Sequence, residues 1–181
     1  MNARPIDSVD RRIIRLPAVL AFGSNLGDRE ATILGALDDL RATDGIEVTA
    51  VSRLYETTAV KPDGVDVDAP AYLNAVALIR TSLHPEELLG VVNQIEHEHG
   101  RVRTERWGDR TLDVDIVTFA SVVRDTKRLT LPHPRAAERD FVLVPWLEIE
   151  PNAVLPGRGR VDQLIGGIPQ TTLHPYVGEA R

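Results

Sequence analysis

Two apolar stripes at helical spacing, Ile33-Leu37-Leu40 and Leu88-Val92-Ile95, each lie between runs with strand character. No other feature of the chain restricts its fold as much. Before the first stripe stands PAVLAFGSN (17–25), an apolar run that enters a Gly-Ser-Asn turn. Asp28 is placed to cap a helix over residues 29–41. Between the stripes lie the β-branched IEVTAVSRLYE (46–56) and YLNAVALIRT (72–81). In the latter, Tyr72, Asn74 and Val76 alternate with Leu73, Ala75 and Ala77, so each set lines one face of a strand. Ser82 is the expected cap of the second helix, with Pro85 in its first turn and Gly100 just past its end. An arginine-rich loop, RVRTERWGDR (101–110), then leads into the strand TLDVDIVTF (111–119).

The order β-α-β-β-α-β predicts an α+β fold, a ferredoxin-like two-layer sandwich. SVVRDTKRLTL (121–131) adds a hairpin, and HPRAAERDFVLVPWLEIEP (133–151) adds helical turns expected to break at Pro145. The expected organisation is an N-terminal extension over 1–16, one domain over 17–165 and a C-terminal tail over 166–181. No apolar run approaches the ~20 residues that span a bilayer, and no secretory signal pattern opens the chain, so a cytoplasmic protein is expected.

Charge narrows the chemistry. A net charge of −6 argues against general nucleic-acid binding. Yet residues 101–139 hold eight arginines and Lys127 against six acids, a local excess of +3. With 19 arginines and two lysines, cation work falls to Arg, whose planar fork suits phosphate. Without cysteine, disulfides and thiolate metal sites are excluded.

Asp113 and Asp115 share one strand face, their Cα atoms about 6.6 Å apart, while Val114 and Ile116 pack the other. Two carboxylates at that separation repel unless a cation sits with them. An exposed polar face is the commoner origin of D-x-D, but the neighbouring arginines favour a site for magnesium and phosphate. No GxxxxGK[ST] or GxGxxG is present. A Gly-Ser element plus D-x-D is also found in nucleotidyltransferases of the polymerase-β type, but here nearly ninety residues separate the two. His97 and His99, two apart on a helix, point to opposite sides and do not make a shared zinc site. The aspartates of TTAVKPDGVDVDAPA (57–71) lack the calcium-loop spacing.

Five ordered blocks resemble the 6-hydroxymethyl-7,8-dihydropterin pyrophosphokinases of folate biosynthesis. They are GSNLGD (23–28), YLNAV (72–76), GRVRTERWGDRTLDVDI (100–116), RLTLPHPR (128–135) and RDFVLVPW (139–146). The resemblance implies transfer of pyrophosphate from ATP to the pterin's hydroxymethyl group, leaving AMP. By motif match, Asp113 and Asp115 are the expected ligands of two Mg²⁺ ions, and Arg101 and Arg110 the expected phosphate contacts. Arg103 and Trp107 fall in a loop expected to close over the site, Arg103 on ATP and Trp107 on the pterin. Arg128, Thr130, His133 and Arg139 are expected to hold ATP. Thr57, Tyr72, Asn74 and Phe141 are expected to hold the pterin, Asn74 by donating and accepting at once. Glu96 matches a glutamate near the family's site, and a structural ion pair accounts for it equally well.

The implied partners are these two small molecules, with no nucleic acid and no membrane, and a monomer is expected. Asp109 stands where the family usually has proline, as do Thr58 and Ala59. A different magnesium-dependent transferase on this scaffold, and a non-catalytic ferredoxin-like module, are the alternatives. The module needs neither paired carboxylates nor an arginine loop.

Overall fold

The computed structural model describes residues 14–61, 64–66, 70–100, 111–168 and 173–178. Strand β1, Leu16–Ser24, runs into the turn that Asp28 closes by accepting from the Ala31 amide at 3.0 Å, the cap of helix α1, Arg29–Ala42. The IEVTAVSRLYE run is two strands rather than one, β2 (Ile46–Val51) and β3 (Tyr55–Thr57). Ser52 is the reason. Its amide donates to Val76 O at 2.9 Å and its hydroxyl accepts from the Val76 amide at 3.0 Å, so a side chain takes over the ladder and the strand breaks. Short strands β4 (Ala59–Lys61) and β5 (Gly64–Asp66) pair with each other before β6, Tyr72–Thr81.

Helix α2, Pro85–Glu98, begins at Pro85 behind an N-cap at His84, not at Ser82. The Glu87 carboxylate accepts from the His84 amide at 2.7 Å, which stops the chain's first turn there, while Ser82 Oγ donates to Gly45 O. Gly100, at φ +79°, supplies the left-handed residue after the His99 C-cap. Strand β7, Asp113–Phe119, follows, then the hairpin β8 (Arg124–Asp125) and β9 (Thr130–Leu131) and a 3₁₀ turn, Ala136–Glu138. Helix α3, Asp140–Ile149, passes through Pro145 unbroken. The buried Val142, Leu143, Pro145 and Trp146 hold the helix against the sheet, and this packing offsets the one ladder bond that proline cannot make. Strands β10 (Val154–Leu155) and β11 (Gly159–Arg160), helix α4 (Val161–Ile165) and strand β12 (His174–Pro175) complete the order.

The main sheet has the order β12-β3-β6-β1-β7, with β2 also on β6, and every pairing in it is antiparallel. The segment β7-β1-β6-β2 with α1 and α2 on one face is the ferredoxin-like unit. Leu20, Ile33, Leu37, Leu40, Leu73, Leu88 and Val92 fill the space between that face and the two helices, each at most 1% exposed. Truncating any of these leucines to alanine costs about 2–5 kcal/mol. The C-terminal additions give the opposite face a third layer, in which α3 packs over Val19, Ala21, Val76 and Val117. That cover is incomplete at one end of β1 and β7, and the site lies there.

Candidate active site

The strand pleat settles which side chains meet. In register, Gly23 of β1 lies between Asn74 of β6 and Asp113 of β7, and Ala21 lies between Val76 and Asp115. All six therefore share the face that α3 partly covers. Asn74 lies opposite Tyr55, and Thr57 opposite Tyr72, on the same face. Gly23 leaves the strip between Asn74 and Asp113 without a side chain, about two strand spacings or ~9.6 Å wide. A Cβ placed there would meet Asn74 Oδ1 at 3.6 Å.

At the acidic end, Asp113 and Asp115 are half-buried and open onto a cleft of about 340 Å³. Arg128, Thr130 and His133, brought by the hairpin and the chain after it, line the same cleft. Arg139, the N-cap residue of α3, donates from Nη1 to Asp115 Oδ2 at 3.0 Å. His133 Nε2 approaches the same oxygen at 3.5 Å. The Arg135 amide donates to His133 Nδ1 at 3.2 Å, so Nδ1 is the acceptor and Nε2 carries the hydrogen that faces Asp115. Burial pushes the His133 pKa below its ordinary value, Arg139 and Arg135 push it the same way, and Asp115 and Asp113 oppose them. The neutral imidazole is thereby favoured.

Glu96, 2% exposed on α2, also lines the cleft and accepts the Val114 amide at 2.8 Å. It grips the backbone between the two aspartates. His97 is exposed, whereas His99 is half-buried and bonds to Asp39 at 2.7 Å. Among the described residues no three His, Cys, Asp or Glu side chains form a metal cluster. Two hard carboxylates on one face fit magnesium, which takes few protein ligands and completes its shell with water and phosphate oxygens.

At the other end, Asn74 and Thr57 are both 4% exposed. Asn74 Nδ2 donates to Thr57 Oγ1 at 2.9 Å and to Tyr55 O at 3.5 Å. A carbonyl can only accept, so the amide orientation is fixed, with both Nδ2 hydrogens used and Oδ1 toward Gly23. The paired donation and acceptance expected of Asn74 alone is therefore split between two residues. Asn74 supplies the acceptor, and the Thr57 hydroxyl, already accepting, keeps its own hydrogen to donate. Phe141, in the first turn of α3, sits under the Arg139 guanidinium at 5.6 Å.

Of the residues marked in the sequence, Asp113, Asp115, Arg128, Thr130, His133 and Arg139 are thus brought together, and Thr57, Tyr72 and Asn74 form a second group on the same face. Arg101, Arg103, Trp107 and Arg110 lie outside the described residues, as does Asp109. Sequence reasoning missed Gly23 as the strip between the groups and Lys127 as a lining residue of the cleft. The signal for Lys127 was slight, one of two lysines in a hairpin turn; that for Gly23 was a glycine inside a strand, which marks close approach.

The sequence matches the family model of 7,8-dihydro-6-hydroxymethylpterin-pyrophosphokinase (HPPK) over residues 19–151. It is 44% identical over 140 residues to the 2-amino-4-hydroxy-6-hydroxymethyldihydropteridine pyrophosphokinase of Methylorubrum extorquens, covering 77% of this chain and 86% of that one. To the Bacillus subtilis protein of the same name it is 46% identical over 132 residues, 73% of this chain and 77% of the other. The fold is similar to that of Plasmodium falciparum HPPK-DHPS, with a TM-score of 0.66 at 13% identity over 84% of this chain. The chain spans 44% of that longer polypeptide. With the family model spanning both ends of the site and two relatives more than 40% identical, this chain belongs to the HPPK family of ATP-dependent pyrophosphokinases.

Proposed function

We propose that the protein transfers the β,γ-pyrophosphate of ATP to the hydroxymethyl oxygen of 6-hydroxymethyl-7,8-dihydropterin, giving the pterin diphosphate and AMP. One observation carries the reading: a carboxylate pair and an amide–hydroxyl pair lie on the same sheet face, separated by Gly23. A flat heterocycle seated at Asn74 and Thr57 would extend its substituent along that strip toward Asp113. The Asn74 Oδ1 accepts from the aminopyrimidine edge and the Thr57 hydroxyl donates to it, while Phe141 and Tyr72 offer ring contact.

Asp113 and Asp115 are the residues that would hold magnesium, which supplies charge neutralisation on the phosphates when bound. Arg128, Thr130 and His133 line the cleft where the nucleotide fits, and Arg139 orients Asp115 while presenting a cation to a phosphate oxygen. Arg101, Arg103, Trp107 and Arg110 enter this proposal from their motif alone. In the transfer, the pterin hydroxymethyl oxygen bonds to the β-phosphorus, the bond from that phosphorus to the α,β-bridging oxygen breaks, and AMP leaves with that oxygen. The hydroxyl proton passes to solvent. Positioning and charge stabilisation account for most of the rate in such transfers.

Incubation with ATP, Mg²⁺ and the hydroxymethyl pterin, followed by separation of nucleotides and pterins, tests this. AMP and pterin diphosphate should appear in equal amounts, each dependent on the other substrate. ADP as the product, or nucleotide release without pterin, would overturn it.

A further inference from the structure

Arg29 stands in an unfavourable place for a cation. It is the first residue of α1, where the helix dipole favours negative charge, and its side chain is only 24% exposed. What it does there is visible in its bonds. From Nη1 it donates to Glu56 Oε1 at 2.8 Å and to the Ala71 carbonyl at 2.7 Å. Glu56 directly precedes Thr57 and Ala71 directly precedes Tyr72, and Thr57 and Tyr72 are register partners.

Glu56 is the middle residue of β3, so it faces α1 while Tyr55 and Thr57 face the site. Its other oxygen, Oε2, lies 3.4 Å from His174 Nε2. His174 belongs to β12, which pairs with Tyr55 and Glu56 at the sheet edge, and the Tyr176 amide donates to Leu54 O at 2.9 Å. β3 is three residues long and would be a weak edge by itself. It is held from behind by an ion pair and from outside by a distant part of the chain.

We infer that Arg29 and Glu56, secured by His174, are positioning residues for the pterin-side groups: they set Thr57, and through it Asn74, from the far face of the sheet. The inference rests on the proposed function and adds to it residues that touch neither substrate. The geometry is directional. The cluster is bonded to the segments bearing Thr57 and Tyr72, and Arg29, Glu56 and His174 are not among the residues that line the cleft at Asp113 and Asp115. Loosening it should therefore weaken pterin binding and leave the nucleotide side alone.

Steady-state kinetics on the full chain, varying each substrate, test this. Arg29→Met and Glu56→Gln should each raise the pterin KM about tenfold, with kcat and the ATP KM within about twofold of wild type. The double variant should be less severe than the sum of the two single variants, since the Arg29–Glu56 bond is lost in each. Arg29→Lys should restore most of the affinity, because a single nitrogen makes both bonds. His174→Ala should raise the pterin KM by a smaller factor, about two- to threefold. A lower thermal midpoint with unchanged pterin KM, or equal increases in the KM of both substrates, would overturn the positioning role. Wild type that turns over normally beside unaffected variants would overturn it alone; wild type without pterin-dependent turnover would overturn the proposed function as well.

Discussion

On the proposed reading, Gly23 serves activity and not stability. It sits inside β1, where a β-branched side chain would ordinarily be favoured. Its backbone is not in the left-handed region, and an added Cβ meets nothing closer than 3.6 Å. Glycine is therefore not required by the fold at this position. The strip it leaves open, between Asn74 and Asp113, is where a substituent would pass from ring pocket to carboxylates. Gly23→Val should keep or raise the midpoint of urea unfolding while raising the pterin KM at least tenfold. Loss of folding together with loss of activity would mean that the glycine serves packing instead. The two residues that bracket the strip were readable from sequence because amides and carboxylates on a strand face invite explanation. Glycine carries no chemistry of its own, and only the cross-strand register gives it meaning.

The helices were the most legible elements, and their ends the least. The stripes at 33-37-40 and 88-92-95 fix α1 and α2, because only a 3.6-residue period puts those side chains on one face. The start of α2 moved from Ser82 to His84 because a glutamate three residues on outcompeted the nearest hydroxyl. The unbroken α3 and the break at Ser52 have one cause, tertiary contact overriding local preference. The same principle gives a prediction at the contact of α1 with α2. A Cβ on Gly35 would lie 2.8 Å from His99 Cε1, and His99 is held by Asp39. Gly35→Ala alone should gain little stability or lose some, despite alanine's better helix propensity. In a His99→Ala background the same change should stabilise by about 1 kcal/mol, as measured by denaturant unfolding. An equal effect in both backgrounds would show that the ring simply swings away.

Across the whole molecule, a ferredoxin-like unit supplies a sheet with one face sealed by α1 and α2, and the later additions seal the other face except at one end. The β-α-β-β-α-β order was legible because it depends on periodicity, whereas the third layer depends on how α3 folds back over Val19, Val76 and Val117. Chain segments far apart in sequence, at 23, 57, 74, 113–115, 128–133 and 139, converge at the uncovered end. Gly23 apart, the motifs named the site residues of these segments, but the distances among them, the shared oxygen of Asp115 and the fixed amide of Asn74 belong to the folded chain alone. Asp115 is the residue on which the proposed transfer most depends, as a charged ligand and not a core residue. Its turnover with ATP, hydroxymethyl pterin and saturating Mg²⁺ is therefore the most direct measurement. Asp115→Ala should lower kcat by roughly a thousandfold or more while the unfolding midpoint stays close to wild type. Near-normal kcat at saturating Mg²⁺ would contradict the account.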